Sequence, residues 1–439
     1  MVFVKDLLNK ISDFKCEVDS KEIVFYGILQ EENGNIILNA KFPMEQYRKI
    51  AIDAELVVLG NVSGKKTTLI GCHIKSASFS MEDDYISIFI IPNEIIVGGC
   101  FSSTPMAKKI IVSTTDLNYM FSGESPLNPN VDFSKENSSV LNYTFPKPII
   151  AKDKYGKIKL YQTFGTQWSV NSYTHNIISV IEYSFTVPMP FMDAVAKTSA
   201  ARSLFTFFGN GYIPFGEITF EVDADENEYG LWLNYKEDIP TVNMPFLIRT
   251  SALENQFQKI WESWLALYES ANPIPTLFYE IVCNRSTRIN SFLNLSQAIE
   301  VYSNAFRNVE AKEIAKNDPN NKSKGKNIKL KHRYQDILST YNGALELIES
   351  NIEDYAQGFS NMRNYYTHYN SRKYVEPTYD EMFSAIHILR FVLLTIVYTA
   401  VGISLDCILE CKRSIIFSRF DNDADIILKY SKKTKVTSY

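Results

Sequence analysis

Ile352-Glu353-Asp354-Tyr355-Ala356-Gln357-Gly358-Phe359-Ser360-Asn361-Met362-Arg363-Asn364-Tyr365-Tyr366-Thr367-His368 is the stretch that decides the fold. Ile352, Tyr355, Phe359, Met362 and Tyr366 recur every three or four residues, the period of a helix with one face turned to a core. Tyr366 thus reads as core. The last six residues hold an Arg and a His with four residues between them. The unperturbed pKa of His, near ~6.5, lets it take or give a proton at neutral pH. Arg stays cationic and can brace a pentacoordinate phosphate. Together they suffice to cut RNA without a metal. On an ideal helix His368 lies about 140° round from Arg363, whereas Asn364 and His368 share a face. Either the long Arg side chain reaches past the turn, or the helix loosens before His368. The spacing equally fits a capping Arg and a surface His.

Around this helix the chain reads as helical from about residue 250. Ser251-x-x-Glu254 forms a capping box before an amphipathic run to about 270. Helical segments follow at about 274–308, 328–348, 350–368 and 379–415, with Thr378-x-x-Glu381 capping the last. Residues 250–430 are therefore expected to form a separate all-α bundle. Between two of its helices, 312–333 reads as a basic loop carrying Lys312, Lys316, Lys322, Lys324, Lys326, Lys329, Lys331 and Arg333. Such a loop is either simply solvated or, beside the motif helix, a set of phosphate contacts. The candidate RNA-binding residues are Lys322, Lys324, Lys326, Lys329, Lys331 and Arg333. The longest apolar run, 391–404, is too short to span a bilayer and is bracketed by Arg390 and Asp406, so it reads as a core helix.

Upstream the period changes. Short segments rich in Ile, Val, Phe, Tyr and Thr recur at 22–30, 35–42, 56–62, 66–78, 85–91, 108–115, 147–152, 157–163, 177–187, 217–222 and 229–235. Asn33-Gly34 marks a hairpin tip between the first two. A lone helix is expected over 191–208, favoured by Ala194, Ala196, Ala200 and Ala201. Residues 1–245 thus form a β-rich, sandwich-like region of one or two subdomains. The fold class is α+β multidomain.

The chain has 439 residues, 45% apolar and 22% charged, ordinary for a soluble protein. A net charge of −5 excludes a surface built wholly for nucleic acid, though not a local basic patch. The opening MVFVKDLLNKISDF mixes charge into its apolar residues and offers no signal-peptide pattern, so a cytoplasmic protein is expected. The six cysteines are scattered, as reduced thiols are. Cys407 and Cys411 share a helix face, but no second Cys/His pair with metal spacing accompanies them. No metal or cofactor is expected. HExxH, a Gly-rich phosphate loop and a Gly-x-Ser-x-Gly elbow are absent. His175, His332 and His387 carry only structural readings.

Three segments in order carry a resemblance: Phe292-x-x-Leu295-x-Gln297-Ala298-x-Glu300, Leu330-x-x-Arg333-Tyr334-x-x-x-Leu338, and Arg363-Asn364-x-x-x-His368. This order resembles the HEPN domain of the ApeA type, found in bacterial anti-phage defence. The first half, with Ile23-Val24-Phe25-Tyr26-Gly27 and Leu59-Gly60 through Cys72, is similar to the β-rich domain preceding HEPN in that family. HEPN ribonucleases carry Arg-x(4–6)-His, commonly with a polar residue after the Arg. The resemblance implies a metal-independent endoribonuclease in which an RNA 2′-OH attacks the adjacent phosphate. Arg363 would stabilise the phosphorane, His368 would move the proton, and Asn364 would orient one or the other. It also implies a homodimer with two motifs at its seam, RNA as substrate with tRNA favoured, and a trigger, such as a phage protein, sensed by the first half.

Two other classes compete. In one, a non-catalytic HEPN bundle dimerises and the β-rich half binds a phage protein or another ligand. In the other, a β-sandwich binding protein carries a helical oligomerisation tail. Intact Arg363 and His368 favour the nuclease, because a scaffold needs neither.

Overall fold

The computed structural model describes residues 4–18, 21–47, 56–79, 84–114, 117–121, 145–169, 172–222, 227–233, 246–283, 286–319, 321, 327–368 and 374–433. They form two compact units, one drawn from residues 1–118, 152–199 and 214–238, the other from 119–151, 200–213 and 239–439.

The strands are β1 (Ile11–Val18), β2 (Lys21–Glu32), β3 (Asn35–Pro43), β4 (Leu56–Val62), β5 (Lys65–Phe79), β6 (Tyr85–Ile91), β7 (Glu94–Val97), β8 (Met106–Thr114), β9 (Ile149–Lys152), β10 (Gly156–Ser169), β11 (Ser172–Pro190), β12 (Ile218–Val222) and β13 (Glu228–Leu233). The β-rich half is a closed barrel with an extension rather than two stacked sheets. β1 pairs β2, β2 pairs β3, β3 pairs β6, β6 pairs β5 and β5 pairs β4, all antiparallel. β4 then returns to β1, Phe14 opposite Gly60, and closes the ring. Closure leaves no free edge in the barrel. Alternate residues point inward. Phe14 and Cys16 of β1, and Ile23 and Phe25 of β2, join Leu38, Phe42, Val58, Leu69 and Ile88 in the barrel core.

The Asn33-Gly34 tip forms as expected, with φ of 53° and 81° and Glu32 opposite Asn35. Both central residues are left-handed, as a two-residue hairpin turn requires. A bulge lets β5 serve two neighbours on one edge: its first part, Thr67 to Ile70, pairs β7, and its later part, from His73 on, pairs β6. The step is at Gly71, φ 61°, where a Cβ would meet the Asn93 side chain at 2.5 Å. From β7 the sheet continues through β13, β12, β8, β11 and β10.

The helices are the single turns α1 (Met44–Tyr47) and α2 (Asn118–Phe121), then α3 (Phe191–Gly209), α4 (Phe257–Ser270), α5 (Pro273–Val282), α6 (Arg288–Phe306), α7 (Asn308–Asn317), α8 (Leu330–Thr340), α9 (Asn342–Leu345), α10 (Ile352–His368), α11 (Tyr379–Val401), α12 (Leu405–Arg413) and α13 (Phe420–Ser431). No strand occurs after residue 245 among the described residues. The Thr378 cap forms in full: its hydroxyl accepts from the Glu381 amide, and the Glu381 carboxylate accepts from the Thr378 amide at 2.9 Å. Several helix boundaries differ from expectation. Ser251 caps nothing; Thr250–Ala252 is a 3₁₀ turn, held by buried Thr250 and Leu253, and α4 starts only at Phe257. The 274–308 segment breaks in two, because Thr287 turns extended and caps α6. Gly402, φ 89°, ends α11 in a left-handed cap. Lys312 and Lys316 belong to α7, not to a loop. A further helix, α13, follows the expected last segment at 379–415 and runs to Ser431.

α11 is long and apolar enough to cross a membrane by length and composition, with a mean hydropathy of 1.8. Yet 72% of that window is buried within the protein, and every residue from Phe391 to Tyr398 is inaccessible, as in a core helix.

Candidate active site

α10 is seated by Ile352, Tyr355, Phe359 and Met362, all buried, against α8, α13 and α6. The stripe ends at Met362; Tyr366 is only half-buried. Gly358 brings α13 close, since a Cβ there would sit 3.2 Å from Ile427. A glycine inside a helix costs about 1 kcal/mol. Here it places the end of α13 beside the motif.

Between these helices lies a cavity of about 660 Å³. Arg363 and Asn364 line it, with Glu300 from α6, Lys329 and Lys331 at the start of α8, and Lys433 after α13. Arg363 approaches Glu300 at 3.8 Å, each side chain about a third exposed, at 31% and 35%. So exposed a pair is worth roughly 0–1 kcal/mol, weak enough for a phosphate to displace. The Asn364 amide donates to Ser360 Oγ at 3.5 Å and to Tyr374 Oη at 3.4 Å. Tyr430 donates to the Val375 carbonyl at 2.7 Å and fastens the Tyr374 segment to α13. Tyr430, Tyr374 and Val375 also line the cavity.

The basic residues divide. Lys331 reaches the cavity and pairs with buried Asp318 at 2.6 Å. Lys433 pairs with Glu381 at 2.7 Å. Arg333 is turned into the interior, donating to Ser303 Oγ at 3.2 Å and Asn308 Oδ1 at 3.4 Å, and burial lowers its pKa. Its guanidinium joins α8 to α6 and α7 instead of facing solvent. Lys322, Lys324 and Lys326 lie outside the described residues. His332 is fully buried: its Nδ1 accepts from the Lys329 amide and its Nε2 contacts Asp318 at 2.9 Å. It holds the start of α8.

His368 is the last residue of α10, exposed, and is not among the residues lining the cavity. The helix does not loosen before it, since α10 stays helical through His368; the Thr367 hydroxyl also donates to the Arg363 carbonyl at 2.8 Å. His368 therefore stands about one turn beyond Asn364 on the same face, and about 7.5 Å along the axis from Arg363. Cys411 is buried on α12 beside half-buried Cys407, and its thiol donates to the Leu247 carbonyl. Among the described residues no three His, Cys, Asp or Glu side chains cluster as a metal needs.

Sequence reasoning missed Glu300, Tyr374 and Lys433 as neighbours of the motif. For Glu300 a signal exists: it follows buried Ile299 on α6 as Arg363 follows buried Met362 on α10.

Comparisons with curated proteins and with solved structures return no match. Two family models match. Residues 293–407, spanning most of α6 through the start of α12, match the Apea-like HEPN family, and residues 14–264, more than half of the chain, match ApeA N-terminal domain 1. With both models matching in this order, the chain belongs to the ApeA family of defence-associated proteins, a β-rich N-terminal region followed by a HEPN domain.

Proposed function

We propose that this protein is a metal-independent endoribonuclease of cytoplasmic anti-phage defence, acting by abortive infection. The observation that carries the reading is that Arg363 and Asn364 face one polar cavity with Lys329, Lys331 and Lys433, on the helix that ends in His368. HEPN domains are generally ribonucleases, which supports it. The 2′-OH of a nucleotide attacks its own phosphate, leaving a 2′,3′-cyclic phosphate and a 5′-OH. Arg363 stabilises the added charge, Asn364 orients the phosphate or His368, and His368 transfers the proton. The lysines steer the backbone. Single-stranded loops are the natural target, because their 2′-OH can swing into line; tRNA is favoured by family analogy. The β-rich half senses the trigger, for which a phage protein is the candidate. The deciding experiment incubates the protein with total bacterial RNA, with and without phage lysate, and sequences the new ends. New 5′-OH ends are expected. Cleavage should also persist in excess EDTA; loss on chelation with recovery in Mg²⁺ or Zn²⁺ overturns the mechanism.

One motif per chain supplies too few proton-transfer groups for both the attacking and the leaving oxygen. A two-fold homodimer through the HEPN bundle supplies the second set. Exposed His368 at the free end of α10 is available to such a partner. Sedimentation at micromolar concentration is expected to show the dimer for both the full chain and a fragment holding residues 250–430. A strictly monomeric protein that still cleaves RNA sinks the composite site.

A further inference from the structure

The β-rich unit holds a second cavity, of about 580 Å³, lined by Gly64, Lys65, Lys66, Thr219, Glu228 and Gly230 among others. Its shape follows from strand register. Thr219 lies opposite Gly230, and Gly230 lies opposite Val97. Directly opposed residues point to the same face of a sheet. On the face that carries the Thr219 side chain, β13 therefore contributes no side chain at that position. The dent borders the hairpin turn Ser63-Gly64, with φ of 54° and 79°, from which Lys65 and Lys66 emerge.

The chemistry of the lining is specific. Thr219 is 4% exposed, and its hydroxyl has no hydrogen-bond partner among the described residues. A buried hydroxyl is rarely left unpaired in a protein interior, and this one borders the cavity. Lys65, Lys66 and Glu228 together leave the lining with one net positive charge, so it favours an anion. The volume lies within the range of small-molecule sites and is far larger than a bare phosphate needs. Glu228 can accept from a hydroxyl or amino group on the remainder of such a molecule.

We infer that this cavity binds a small phosphate-bearing molecule, with Lys65, on the same sheet face as Thr219, on the phosphate, Lys66 adding charge at the rim, Thr219 donating its hydroxyl to the phosphate, and Glu228 holding a donor on the organic part. The inference stands apart from the nuclease reading, because its test reads binding alone. Full-length protein is titrated calorimetrically with inorganic phosphate, ribose 5-phosphate, adenosine 5′-monophosphate and phosphate-free ribose. The two esters are expected to bind more tightly than inorganic phosphate, and ribose not at all. Lys65→Ala/Lys66→Ala should weaken ester binding at least ~10-fold, since the charged contact to the phosphate and the neighbouring rim charge go at once. Thr219→Val should weaken it several-fold while leaving the thermal midpoint of the free protein unchanged or raised, because the hydroxyl it removes is unpaired there. Thr219→Ser should restore binding. No binding by either ester at millimolar concentration overturns the inference. So does equal binding of ribose, binding no tighter than that of inorganic phosphate, or binding that survives the double lysine variant. Should Thr219→Val fail to fold, the lysine variant, altered only at the protein surface, decides.

Discussion

His368→Ala is expected to lower RNA cleavage by about 100-fold or more while leaving the protein folded. General acid–base catalysis by one positioned side chain contributes ~10²–10⁴-fold, and a methyl group cannot carry a proton. The side chain stands exposed at the end of α10, outside the buried stripe that fastens the helix. Its removal opens no cavity, so the thermal midpoint and the oligomeric state should match those of the unaltered protein. The assay is single-turnover cleavage of total RNA, with thermal unfolding measured on the same preparation. Cleavage at the unaltered rate would remove His368 from the mechanism and leave Arg363 beside a simple binding cavity.

What could be read from the sequence was governed by local chemistry. The Asn33-Gly34 turn and the Thr378–Glu381 cap form as read, because each rests on a few neighbouring residues whose backbone preferences decide the outcome. The stripe from Ile352 to Met362 was legible for the same reason: its period needs no knowledge of the partner surface. Closure of the barrel was not legible. It depends on β4 pairing both β1 and β5, a choice made by distant strands, and inward–outward alternation looks the same in a sandwich and a barrel. β1 was missed because Asp13, Lys15 and Glu17 break its apolar run, although they are the outward half of its alternation. β7 is too short to signal.

Capping motifs failed where burial overruled them. Ser251 and Glu254 have the spacing of a box, but seating Leu253 in the core tightens the chain into a 3₁₀ turn first. Within the site, charge alone could not separate Arg333 from Lys331. Both lie in one basic run, yet helical phase turns Arg333 inward to Ser303 while Lys331 reaches the cavity. Glu300 was visible as part of a family-like segment, but its proximity to Arg363 arises only when α6 and α10 pack.

That proximity makes Arg363 the more informative residue to change. Arg363→Lys should lower kcat by on the order of 100-fold, the loss typical when one preorganised donor to developing charge is removed. A lysine keeps the charge but not the planar fork that grips two phosphate oxygens together. If the guanidinium serves only to attract RNA, the lysine variant should instead raise KM and leave kcat untouched; that result would refute its role at the transition state. Glu300→Gln should act in the opposite direction. The carboxylate competes with the substrate phosphate for Arg363, and their ion pair is worth roughly 0–1 kcal/mol. Neutralising it should therefore lower KM by up to about fivefold, with kcat nearly unchanged. In the Arg363→Lys background that gain should shrink, because two residues that touch do not act additively. A Glu300→Gln variant with lost activity would show that the carboxylate holds Arg363 in its working position, since the two effects have opposite signs.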